Sequence, residues 1–165
     1  MNTEPVRRYL GLALATILLA GCGRLGGGSL APSPLDLQAV TAALRGSGIA
    51  VVDVADNLNP RDGAWRCVPG SFRLARVAQQ PSAAMSVRGD KPSVDVLLFT
   101  SDTARAAAQA AIGADGQVHS QSCAVMVEWV ATPHVVGTRN VLLFIATDDP
   151  AAIAAVKAAA THLGR

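Results

Sequence analysis

The sequence predicts an α+β two-layer sandwich, with a mainly antiparallel sheet and helices packed on one face. Short apolar runs separated by turns predict hairpin-connected strands, and two alanine-rich stretches follow acidic helix caps. The 165 residues are half apolar and 16% charged, with a formal net charge of +2. This balance is typical of one globular domain. It excludes a disordered chain and provides no basic surface for nucleic acid.

Residues 1–21 are predicted to be a lipoprotein signal peptide. Arg7 and Arg8 form a positive region, and residues 9–20 carry no charge. As a helix this stretch would span about 18 Å, short of a hydrocarbon core of about 30 Å, so a permanent spanning helix is not expected. It ends in Leu19-Ala20-Gly21-Cys22, which resembles the lipobox of bacterial lipoproteins. The resemblance implies that Cys22 is lipidated and becomes residue one after cleavage. The alternative is an ordinary signal peptide closed by a chance cysteine.

Residues 22–33 are predicted to form the lipidated cysteine and a flexible glycine-rich tether, and residues 34–165 a single α+β domain. A tether of this length has a root-mean-square span of about 18 Å. The domain is therefore expected to stay close to a cell membrane or outer membrane, anchored through Cys22 and facing the extracytoplasmic side. Its partners are expected in the envelope.

The first half of the domain is predicted to contain one helix and three strands. Ser33 caps the helix with Pro34 at its first position, and Gly46 ends it. A strand at 49–54 precedes a loop at 56–63, and a turn at 69–70 precedes a strand at 72–78. Alternation at 85–88 predicts a further short strand.

The second half repeats a strand-then-helix pattern. A strand at 94–99 leads through a cap at Ser101 or Asp102 into a helix at 103–112. A strand at 125–131, a loop at 132–138 and a strand at 140–147 follow, and Asp149 with Pro150 opens a last helix toward His162. The tetrapeptides at 96–99 and 141–144 are identical, so a duplicated unit is one interpretation; the limited residue repertoire of buried strands is the other.

The domain contains two further cysteines, and a Cys67–Cys123 disulfide is predicted. An exported domain folds in an oxidising compartment, where an even pair of cysteines is usually bonded. Two free buried thiols are the first alternative. A redox or metal pair is the second, although neither a Cys-x-x-Cys motif nor a nearby histidine supports it.

No catalytic or metal-binding motif is found, and neither a cofactor nor a metal is expected. The three histidines lack metal-ligand spacing, and Asp148 and Asp149 are best explained as helix-capping residues. One surface remains a candidate ligand surface, formed by Glu128, Trp129 and His134. The simpler interpretation places Trp129 in the core and the other two side chains in solvent.

Part of the domain resembles a group of small bacterial lipoproteins with no assigned activity. The similarity lies in Asp115-Gly116, in 126–134 (Met-Val-Glu-Trp-Val-Ala-Thr-Pro-His), in 139–145, in 149–151 and in the turn at 68–70. It covers about half of the chain after Cys22 and implies a location and a fold, not an activity. This chain departs from the group at Cys67, at Cys123 and at 135–137, where aromatic residues are common in the group.

Three functional hypotheses follow. The first is a non-catalytic envelope lipoprotein that binds a partner protein or a small ligand at the membrane. The second is an envelope enzyme whose site lies around Glu128 and His134. The third is a structural or stress-related envelope protein.

Overall fold

The computed structural model describes residues 33–60, 63–80, 93–113, 115–119, 123 and 125–165, which belong to one compact unit, Ser33–Arg165. Within these ranges lie three α-helices, one 3-10 helix and five strands. The helices are α1 (Leu37–Gly46), α2 (Asp102–Ala111) and α3 (Pro150–Leu163), and the 3-10 helix is Gly63–Cys67. The strands are β1 (Val51–Leu58), β2 (Phe72–Gln79), β3 (Ser93–Phe99), β4 (Pro133–Thr138) and β5 (Val141–Ala146).

The strands form one sheet in the order β1-β2-β3-β5-β4, and every neighbouring pair is antiparallel. The predicted α+β sandwich is therefore confirmed. The two central strands, β3 and β5, are buried along almost their whole length. Their near-continuous apolar sequences follow from this position, because a strand covered on both faces has no polar side to alternate with.

The helices α1 and α3 cover one face of the sheet. Val40 and Leu44 of α1 and Val156 of α3 are fully buried against Val96 and Leu143 of the central strands. Alanines along α3 let the helix lie close to its neighbours, while the branched side chains of the strands supply most of the buried apolar area.

The opposite face is also covered. Ala108 of α2 and Trp65 of the 3-10 helix pack on Leu97, Leu142 and Phe144. This placement of α2 differs from the expectation that all helices share one face. The reason is that β3 and β5 present large apolar side chains on both sides, so neither side is left to water.

The identical tetrapeptides lie side by side, since Val96 pairs with Leu143 and Leu97 with Leu142. Equivalent residues of the two copies face the same side of the sheet, but the helices that follow them lie on opposite faces. The two strand-helix units are therefore packed differently.

The helix ends show which capping predictions hold. Ser101 caps α2 by accepting a hydrogen bond from Ala104 N at 3.1 Å, and Asp149 caps α3 by accepting from Ala151 N at 2.9 Å. The prediction that Ser33 caps α1 is wrong, because Asp36 accepts from Ala39 N. The N–H of Leu35 instead donates to Asn140 Oδ1 at 2.7 Å, which holds this residue outside the helix.

Two strand boundaries also differ from the predictions. Residues 56–58 belong to β1, although turn-forming residues predicted a loop from 56 to 63. The pairing register shifts between Ala55 and Leu58, and Asn57 adopts a φ of +51°, so these residues form an irregularity within the strand. Residues 125–131 are not a strand, and β4 occupies most of the predicted loop at 132–138. The strand predicted at 85–88 lies outside the described residues.

Candidate functional site

Cys67 and Cys123 form the predicted disulfide, with their Cα atoms 5.6 Å apart. Cys67 ends the 3-10 helix and is buried, and Cys123 belongs to the connection between α2 and β4. The bond therefore joins two loop segments over the same face of the sheet. Cys67 belongs to the buried cluster on that face, and the partly buried Cys123 packs against the same cluster.

Beside the disulfide lies a cluster of three aromatic rings. Phe144 of β5 is 4.7 Å from Trp65 in an edge-to-face arrangement and 4.5 Å from Trp129, measured between ring centroids. The two tryptophans are 6.1 Å apart. Trp129 therefore packs against the core while remaining half-buried. Gly116 approaches its indole closely and has a φ of +71°, and a methyl group at this position would clash with the indole nitrogen.

A buried carboxylate lies next to this cluster. Asp95 of β3 accepts a hydrogen bond from the Trp65 indole Nε1 at 2.8 Å and two from the guanidinium of Arg76, at 2.6 and 3.0 Å. Arg76 is the cross-strand partner of Asp95, and the hydrogen bonds that it donates to this carboxylate raise the pKa of Arg76 above its usual value. All the strong interactions of Asp95 are thus made within the fold, so this carboxylate serves to fix β2, β3 and the 3-10 helix together.

Residues 125–131 form an extended segment held by a side chain. The amide of Gln117 donates to Val127 O at 2.5 Å and accepts from Val127 N at 3.0 Å, which replaces the partner strand that these residues lack. Glu128 is exposed, as are Met126 at 98% and Val130 at 81%. This part of the predicted ligand surface is therefore a solvent-facing ridge rather than a cleft.

His134 lies near the start of the edge strand β4. Its Nε2 is 3.1 Å from the carbonyl oxygen of Thr147, and its side chain is half-buried. It lines a groove of about 390 Å³ together with Gln109 of α2 and Lys157 of α3. Among the described residues, Glu128 and His134 are not joined by a hydrogen bond or an ion pair. The structure does not assemble the acid-base pair that the enzyme hypothesis requires.

Three further carboxylates accept hydrogen bonds from nearby backbone N–H groups. Asp149 caps α3 as predicted, whereas Asp148 accepts a hydrogen bond from Thr132 N at 3.1 Å. The backbone N–H of Gln117 lowers the pKa of Asp115 below its usual value, and a hydrogen bond from His119 lowers it further. Among the described residues, no group of three or more His, Cys, Asp or Glu side chains is placed to bind a metal ion. Within the same ranges, no helix is long and apolar enough to cross a membrane.

A second cavity, which the sequence did not predict, opens where the C-terminus of α1 meets the N-terminus of α3. It measures about 310 Å³, and Ser47, Gln79 and Asp149 are among its lining residues. Gln79 is only 7% exposed. The side-chain nitrogen of Gln79 and the hydroxyl of Ser47 are buried without a hydrogen-bond partner among the described residues. The one sequence signal was a glutamine at the apolar-facing position of β2, two residues after the buried Val77.

The fold and these sites define a disulfide-bonded α+β domain with a five-stranded antiparallel sheet. Comparison with protein-family models, with curated protein sequences and with solved structures gives no significant match.

Proposed function

We propose that this protein is a lipid-anchored envelope lipoprotein that binds a partner at the membrane surface without catalysing a reaction. The observation that carries the proposal is the sequence Leu19-Ala20-Gly21-Cys22 after a positive region and an uncharged stretch. The disulfide between Cys67 and Cys123 supports it independently, because such bonds persist in oxidising compartments outside the cytoplasm. Membership of the group of small bacterial lipoproteins that residues 126–134 resemble is part of the proposal.

A binding role is favoured over catalysis by the chemistry of the surface around Glu128. Its carboxylate faces solvent, and the imidazole of His134 faces the carbonyl group of Thr147. General acid-base catalysis needs two titratable groups within reach of one substrate, and neither group is paired with the other here. A structural or stress-related role remains the alternative within the same location.

The lipid anchor is tested by metabolic labelling of cells with an alkyne-tagged fatty acid. The unaltered protein is expected to take up the label and to fractionate with membranes. Cys22→Ser is expected to lose both, because the hydroxyl does not replace the thiol in thioether formation. Ser29→Ala, in the same tether, is the matched control and should behave like the unaltered protein. Equal labelling of the Cys22→Ser variant would contradict the proposal.

The binding role is tested by crosslinking in intact cells, followed by purification and mass spectrometry. A specific neighbour that is captured with the unaltered protein and lost with Cys22→Ser would support a partner at the membrane surface. Absence of any specific neighbour with either form, together with no ligand-induced stabilisation of the purified protein, would contradict the proposed role.

A further inference from the structure

We propose that the cavity between α1 and α3 is a binding site for a neutral, polyhydroxylated solute of monosaccharide size. The proposal rests on the proposed binding role, for which it names a ligand class. It is argued from a cavity, from two unpartnered buried polar groups and from the charge of the lining.

The position of Gln79 is the first observation. Its α-carbon pairs with that of Val51 at one end of the sheet, and the side chain lies on the face that α1 and α3 cover. The residue is 93% buried, yet its side-chain nitrogen has no partner within the described part of the chain. A buried amide without a partner opposes folding, so its presence at the wall of a cavity is explained by a ligand that accepts its hydrogen bonds.

A second unpartnered donor lines the same cavity. Ser47 follows the last turn of α1, where its backbone N–H bonds to Ala43 O and its hydroxyl has no described partner. The adjacent Gly48 adopts a φ of +96°, which turns the chain away from the helix toward β1. The two donors therefore come from different elements and open onto one space, as polar groups do in small-molecule sites.

The lining also determines the charge of the ligand. Among the described lining residues, Asp149 is the only one with a charged side chain, and none is a lysine or an arginine. The Asp149 carboxylate already caps the helix by accepting from Ala151 N. An anion would lie beside this carboxylate, and no described lining residue carries a positive charge that would offset the repulsion.

Hydroxyl groups satisfy both requirements of this lining. A hydroxyl accepts hydrogen bonds from Gln79 and Ser47, and it also donates to a carboxylate such as Asp149. The remaining wall is apolar, with Ile49, Ala152 and the neighbouring alanines of α3. A sugar ring offers C–H groups to such a wall. The volume of about 310 Å³ lies at the lower end of the range for small-molecule pockets, which fits one ring rather than a chain of rings.

The site is tested by NMR on the purified full chain in a detergent without a sugar headgroup. The probes are D-glucose, D-galactose, N-acetyl-D-glucosamine and myo-inositol, each titrated to about 100 mM, which saturates a site of millimolar Kd. At least one of them is expected to shift the side-chain N–H resonances of Gln79 and the backbone N–H of Ser47 in a saturable manner. Inorganic phosphate is expected to shift neither.

Three variants separate a ligand site from a structural role. Gln79→Met, which keeps the size of the side chain and removes the amide, is expected to weaken sugar binding about tenfold. Ala151→Phe places a ring at the mouth of the cavity and should abolish binding. Ala107→Phe, at an exposed position of α2, is the matched control and should bind as the unaltered protein does.

Two results would overturn the proposal. One is the absence of a saturable shift at Gln79 and Ser47 with all four probes. The other is binding of inorganic phosphate at these residues as tight as that of any sugar, which would make the site an anion site. Either result leaves the lipid anchor and the crosslinked partner untouched, because those are measured in cells with Cys22→Ser.

Discussion

Loss of the disulfide is expected to remove a large part of the stability of this domain. Cys67 and Cys123 are 56 positions apart, and closing a loop of that length lowers the entropy of the unfolded chain by about 14 cal/mol/K. At 25 °C this corresponds to about 4 kcal/mol. Since small domains have net stabilities of about 5–15 kcal/mol, the reduced protein should be only marginally folded.

The assay is urea unfolding followed by tryptophan fluorescence, which is informative because Trp65 is buried beside the bond. With a slope of about 2 kcal/mol/M, the midpoint of the reduced protein should lie about 2 M below that of the oxidised protein. The double variant Cys67→Ala/Cys123→Ala should unfold at the same urea midpoint as the reduced protein, or at a slightly lower one. The reduced protein keeps both sulfur atoms, so the difference between these two forms measures packing alone.

The reasoning would be refuted by a midpoint that falls by less than about 0.5 M on reduction, because the loop entropy would then not be lost. It would also be refuted if both cysteines were alkylated in urea without a reductant. That result would show two free thiols, which is the first alternative to the bond.

Three further predictions follow from buried or paired polar groups. Trp65→Phe removes the donor to buried Asp95 but keeps a ring, and it should cost about 2 kcal/mol by thermal or urea unfolding; a loss below about 0.5 kcal/mol would show that the guanidinium satisfies the carboxylate alone. The hydrogen bond from Arg73 holds the pKa of Asp56 below its usual 3.8, so its contribution is present above that pH and is lost as the pH falls below it. Asp56→Asn should therefore show a shallower fall of the urea midpoint between neutral and strongly acidic pH, and an unchanged profile would contradict this assignment. Gln79→Met should stabilise the ligand-free protein by about 1 kcal/mol because an unpartnered buried amide is removed, whereas destabilisation would show that the amide is satisfied in solution.

The strands at the centre of the sheet were predictable from the sequence because their burial determines their composition. Residues 96–99 and 141–146 are apolar on both faces, and in the structure both faces are covered. The caps Ser101 and Asp149 were predictable for a local reason, since each accepts a hydrogen bond from a residue two or three positions ahead. Asp36 was missed because Ser33 and Pro34 form an equally good capping signal, and Asn140, distant in sequence, decides between them.

The errors at 125–138 arise from tertiary contacts that no local pattern contains. Alternation at 125–131 predicts a strand, but Gln117 pairs with this segment through its side chain. The loop predicted at 132–138 includes Pro133, whereas Pro133 begins β4, at the edge of the sheet where its missing N–H costs no ladder bond. The cavity at Gln79 could not be predicted from the sequence either, because it depends on where α1 and α3 meet over the sheet.

The strand order means that the sheet cannot be completed until the last third of the chain has been synthesised. During synthesis β1, β2 and β3 emerge in sequence and can pair at once, but the second edge of β3 stays open until β5 arrives, after α2 and β4. That open edge carries a wholly apolar stretch from Val96 to Phe99, which is a template for pairing with other chains. A protein cut short before Val141 would thus expose an aggregation-prone strand.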